Sequence, residues 1–101
     1  MANYLFLFVG GEMEMPEGED ERNKVMAAWG KWFEGMGDAV VDPGGPLGQA
    51  ASVSSGDGKA ADVSGYTVVK ADGIEGAKEL AKNSPHLDAG GTVSVHEIAK
   101  M

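Results

Sequence analysis

Two histidines and a few carboxylates are the residues of this chain whose types suit proton transfer. His86 stands in Ser84-Pro-His-Leu-Asp88, with Asp88 two positions on. A neutral imidazole with an ordinary pKa of about 6.5 can take or give a proton near neutral pH, and a nearby carboxylate can orient it. The competing role for His86 is structural, as an anchor that bonds backbone carbonyls in the loop after a helix. His96 shares one side of an alternating segment with Thr92, Ser94 and Ile98, opposite Val93 and Val95. It therefore faces either a subunit interface or a substrate pocket. Trp29, Trp32 and Phe33 can line a pocket for an aromatic molecule or pack in the core. Trp32, at the edge of its stripe, is the pocket candidate.

Other chemistries lack their residues. With no cysteine there is no thiolate nucleophile, disulfide or cysteine metal site. The two histidines make no HxH or HExxH spacing, so no metal is expected. Gly10-Gly11 is not part of a GxGxxG, and Gly44-Gly-Pro-Leu-Gly48 lacks the Lys and Ser/Thr of a phosphate loop; both are turns, and no cofactor is expected. No Gly-x-Ser-x-Gly elbow occurs, and Ser54-Ser55 has no partner at a recognisable spacing. Sixteen acidic against eight basic residues, a net charge of -8, repel both a phosphate backbone and an anionic leaflet. Neither nucleic acid nor membrane is an expected partner. The six-residue apolar run from Tyr4 to Val9 lacks a basic lead-in and is too short for a membrane span; absence of cysteine fits a reducing cytoplasm.

The elements that must position these residues follow from periodicity. At 101 residues the chain is expected to form one domain, residues 1–101, with one modest core. Tyr4-Leu-Phe-Leu-Phe-Val9 is apolar at every position, so it reads as a central strand covered on both faces. The acidic residues 12–21 read as a solvated loop leading to a helix capped near Asp20. Val25, Trp29, Trp32, Phe33 and Met36 form one stripe of that helix, closed by Gly35 or Gly37. Ala39-Val-Val41 reads as a short strand, residues 42–48 as an irregular loop, and residues 51–55 as a hairpin arm turned at Gly56-Asp-Gly58. Gly65-Tyr-Thr-Val-Val-Lys-Ala71 is a second clear strand. Asp72 and Glu75 resemble a capping box, opening a helix with Ile74, Ala77, Leu80 and Ala81 inward, which Pro85 ends. Thr92 to Ile98 is the last strand.

The order β, α, β, β, α, β places two helices on one face of a four-stranded antiparallel sheet, the ferredoxin-like plait of an α+β protein. The other sheet face then has no helix. A second subunit is its natural cover, so a homodimer is expected.

The opening Tyr4-Leu-Phe-Leu-Phe8, the tryptophan-bearing first helix, the Gly65-Tyr66 strand, Gly76-Ala-Lys-Glu-Leu-Ala81, and above all Ser84-Pro-His-Leu87 with Gly90-Gly-Thr-Val-Ser-Val-His-Glu-Ile98 resemble the YCII-related family, especially its DGPF-type branch. The resemblance spans nearly the whole chain. It implies a ferredoxin-like fold paired into a dimeric α/β barrel. Two departures limit what it implies about chemistry. The Asp-Gly-Pro-Phe loop of that branch is replaced here by Gly56-Asp-Gly-Lys-Ala-Ala-Asp-Val-Ser64, and residues 20–36 contain none of the first-helix histidine that other members pair with an aspartate.

Two functional readings stand at this point. One is a small-molecule-binding protein with lyase- or isomerase-type acid-base chemistry using His86 and Asp88, with Trp32 and His96 lining the pocket. The other is a non-catalytic dimeric binding or scaffold module with a vestigial cleft.

Overall fold

A computed structural model describes residues 1–10, 17–59 and 61–99. In order these form β1 (Ala2–Val9), α1 (Glu19–Met36), a 3-10 turn (Gly37–Ala39), β2 (Val40–Pro46), β3 (Val63–Ala71), α2 (Ile74–Ala81), α3 (Pro85–Asp88) and β4 (Thr92–Ile98). The four strands make one antiparallel sheet in the order β2-β3-β1-β4. This α+β arrangement is compatible with a ferredoxin-like plait.

Strand alternation decides which side chains meet the helices. Tyr4, Phe6 and Phe8 of β1 point to the same face as Thr67, Val69 and Ala71 of β3 and Val93 and Val95 of β4, as their register shows. With Trp32 and Met36 of α1 and Ala77 and Ala81 of α2, the apolar members of this set build the core. Leu5, Leu7 and Val9 point the other way. They are half-buried, and no helix of the described residues packs over them.

Several local readings are corrected. The acidic stretch falls in part on residues 11–16, outside the described residues. The rest, Glu19, Asp20 and Glu21, is the first turn of α1, where carboxylates suit the positive end of the helix dipole. Gly18, with no side-chain cap, precedes the helix in place of Asp20, and Gly37 closes it at φ +54°, a conformation that a Cβ disfavours. α2 likewise starts after Gly73 with no side-chain cap, so the expected Asp72–Glu75 box is not formed. Pro85 does not end α2, which stops at Ala81. It opens α3 at the first helical position, where its missing N–H costs nothing.

β2 is longer than expected. It continues past Val41 to Pro46 through two register shifts against β3. These bulges accommodate two prolines on an edge strand, which a regular central strand does not tolerate. The hairpin arm expected at residues 51–55 is absent; these residues form no strand. Instead the Ser54 hydroxyl accepts the N–H groups of Gly56 and Gly58 at 2.9 and 3.2 Å, and Val53 lies fully exposed. A segment of alanine and serine with a single valine offers too little apolar surface to hold a strand against the sheet.

Candidate functional site

A cleft of about 850 Å³ opens between α1 and the sheet. That volume lies within the usual range of ligand sites, roughly 300–1,000 Å³. Its floor is Phe8, and Trp29 and Phe33 of α1 form one wall. The facing wall is the bulged part of β2 with Ser64, Gly65, Tyr66 and Thr67 of β3, and α3 closes one end.

The aromatic wall is assembled by helix spacing. Phe8 meets Trp29 edge-on, with ring centroids 5.1 Å apart at 80°, and Trp29 meets Trp32 at 5.6 Å and 74°, geometries that suit the ring quadrupoles. Trp32 is the deepest residue of the α1 stripe, 6% exposed, whereas Val25, Trp29 and Phe33 are half-buried. The stripe's expected edge is therefore its centre. The Trp32 indole N–H donates to the Leu80 carbonyl at 3.0 Å and ties α1 to α2. Trp32 lines a separate groove of about 380 Å³ between α1 and the α2–α3 segment, which shares only a few residues with the main cleft.

Glycines shape the opposite wall. Gly65 is the register partner of Phe8, and a Cβ there would press within 3.3 Å of the Phe8 ring. Gly44, at φ +69°, lies so close to Tyr66 that a Cβ would overlap the Tyr66 carbonyl. The bulge is held by the Asp42 carboxylate, which accepts the Gly44 N–H at 2.9 Å, and by the Thr67 hydroxyl, which donates to the Pro43 carbonyl at 3.0 Å.

His86 and Asp88 both border the cleft, so the structure brings these two sequence candidates together. The environment of His86 is specific. Its ring is only 1% exposed, packs 5.4 Å from Phe8, and fills the space that a side chain at Gly91 would need. Its Nε2 is 3.0 Å from the Val9 carbonyl, an arrangement in which Nε2 carries the proton. Its backbone N–H donates to the capping Ser84 hydroxyl at 3.2 Å. The imidazole thus links the end of β1, the start of α3 and the Gly90-Gly91 turn before β4. Asp88 is exposed.

His96 lies elsewhere. It pairs with Leu5 across β1 and β4 and points to the sheet face opposite the cleft, where its Nε2 lies 2.6 Å from the Ser94 hydroxyl. Among the described residues no group of three or more His, Cys, Asp or Glu is placed to hold a metal ion, and none of their helices is long and apolar enough to cross a membrane.

The buried polar side chains of the cleft are already bonded internally. Besides Thr67 and His86, the Ser64 hydroxyl donates to the Phe8 carbonyl at 3.1 Å, and no buried side-chain nitrogen or oxygen among the described residues lacks a partner. Sequence reasoning missed Phe8, Gly65 and Thr67 as cleft residues. The available signal was a glycine within an otherwise β-branched and aromatic strand, which marks a close approach. Comparison with family models, curated proteins and solved structures finds no match.

Proposed function

We propose that this chain is a homodimeric, non-catalytic binding protein that takes a small organic molecule into the cleft between α1 and the sheet. The observation that carries this reading is the combination of an aromatic-walled cleft with a histidine that is engaged. A general acid or base must reach the proton it transfers. His86 is 1% exposed and its Nε2 is directed at the Val9 carbonyl, so the imidazole supports the wall. The resemblance to YCII-related proteins, with their paired sheets, belongs to the same reading, as does a cytoplasmic location, which the absence of cysteine fits. Its support is the β2-β3-β1-β4 order and the quoted C-terminal residues.

The proposed second copy covers the open sheet face, completing the dimeric barrel. Leu5, Leu7, Tyr66 and Val68 form its apolar centre, with Thr92, Ser94 and His96 to one side. On a chain of net charge -8, a face with so few charges lets two copies meet without strong like-charge repulsion. Because the cleft is on the opposite face, pairing leaves it accessible. Sedimentation at micromolar concentration is expected to give a dimer, and Leu7→Lys a folded monomer with unchanged far-UV circular dichroism. A wild-type monomer would refute the pairing. Ligand screening by thermal shift with wild type and His86→Gln tests the cleft reading. Turnover of a bound compound that the wild type performs and His86→Gln loses, with the melting temperature unchanged, would refute the non-catalytic role.

A further inference from the structure

We infer that the cleft selects uncharged, flat, hydrogen-bond-poor aromatic molecules; the inference rests on the binding reading above. Three features carry it.

The first is the state of the polar groups. Ser64, Thr67 and His86 direct their hydroxyls and Nε2 to the carbonyls of Phe8, Pro43 and Val9. A ligand rich in donors and acceptors would leave its own groups unpaired against these walls, which is costly in a desolvated site. A hydrogen-bond-poor ligand gives up nothing there.

The second is shape. One wall presents the rings of Trp29 and Phe33 with Phe8 beneath, and the facing wall is the bulged β2, with Pro43, Pro46 and Gly45, at which a Cβ would meet nothing within 4 Å. A space between ring surfaces and a strand edge is a slot, and it fits a planar body better than a puckered one. Aromatic partners gain further from edge-to-face and offset contacts with Trp29 and Phe8.

The third is charge. Among the described residues, the charged ones that border the cleft are Lys24 and Asp88, one of each sign and both exposed, so they offset each other. The chain as a whole carries -8, which opposes an anion. Among the described residues no buried acid lines the cleft to hold a cation.

Four probes separate these features: 2-naphthalenemethanol (flat, neutral), 2-naphthoate (flat, anionic), decahydro-2-naphthalenemethanol (neutral, puckered) and adenine (flat but rich in hydrogen-bonding groups). Binding to the wild-type protein is read by tryptophan fluorescence and calorimetry. The expected result is that 2-naphthalenemethanol binds at least about tenfold tighter than each of the other three. A second measurement uses Gly30→Leu. Gly30 borders the cleft and a Cβ there meets nothing within 4 Å, so the leucine should enter the slot without disturbing the fold and reduce 2-naphthalenemethanol affinity at least about tenfold.

Equal or tighter binding of 2-naphthoate, the decahydro alcohol or adenine would overturn the selectivity while leaving the binding reading standing. Failure of all four to bind the folded protein would overturn both. Undiminished affinity in Gly30→Leu would place the site elsewhere. An affinity that weakens with protein concentration across the monomer-dimer range would show that a second copy of the chain occupies the cleft, and would overturn the proposal.

Discussion

The two longer helices lie on the same sheet face and pack against it differently. α2 meets the sheet through Ala77 and Ala81, 0% and 6% exposed, and its backbone comes close to β1, β3 and β4. α1 meets the sheet through Trp29, Trp32, Phe33 and Met36, and among the strands it approaches β2 most closely. Small side chains let a helix settle onto the sheet, while large rings hold it away. Under α2 the space closes. Beside α1 one tryptophan fills its side of the gap, and the other gap, between Phe33 and the bulged β2, stays open as the cleft. Which helix carries the bulk thus decides where space stays open over the sheet.

The largest expected effect tests the two ends of the α1 stripe. Trp32→Ala removes a buried ring and its bond to Leu80 and should cost about 3–5 kcal/mol in urea titration. Trp29→Ala, on the half-buried cleft wall, should cost about 1–2 kcal/mol. Equal losses would mean that the wall belongs to the core and that the distinction between the two regions fails.

Adding bulk should act in opposite directions under the two helices. Ala77→Leu has no free space beneath α2 and should destabilise by about 1–3 kcal/mol. Gly30→Leu projects into open space and should be neutral, or stabilising by up to about 1 kcal/mol through helix propensity. A destabilising Gly30→Leu would show the cleft to be already filled.

The end of the cleft is expected to behave as structure. Gly91→Ala would drive a methyl group into the His86 ring and should cost about 1–3 kcal/mol. His86→Gln, which disturbs the Val9 contact, should cost about 1–2 kcal/mol. Melting temperatures of both variants report this directly. An unchanged value for His86→Gln would remove the anchoring role.

The smallest effect lies at Tyr4, away from the cleft. Burial first, and then the Glu97 carboxylate that accepts the Tyr4 hydroxyl at 3.4 Å, raise the Tyr4 pKa above the ordinary phenol value. The folded chain therefore keeps this proton when the unfolded chain begins to lose it at about pH 10. The stability contribution is intact below that pH and is lost as pH rises through the higher folded value. The melting temperature should fall more steeply above about pH 10 in the wild type than in Tyr4→Phe. Parallel curves would show that the Tyr4 environment does not differ between the folded and unfolded states.

Residue periodicity made much of this molecule legible. The alternation in β1, β3 and β4 and the 3.6-residue stripe of α1 are local, repeated signals, so strand faces, the central place of β1 and the side taken by His96 could be read directly. His86 and Asp88 border one cleft because they stand two positions apart, but the burial of the first and the exposure of the second were not legible. The α1 stripe was visible, but its depth was not. Whether Trp29 or Trp32 lies deeper depends on how the helix is rotated over the sheet, which α2 sets through the bond from Trp32 to Leu80. The longer β2 was hidden because its partners lie in β3, 19 to 29 residues away in sequence, and prolines and glycines within it carry the local signature of a loop. Likewise, the sequence alone determined that His86 is a titratable residue beside a helix-starting proline. Only the tertiary structure brought the Val9 carbonyl and the side-chain-free Gly91 against its ring, because such contacts join the ends of elements that are distant along the chain.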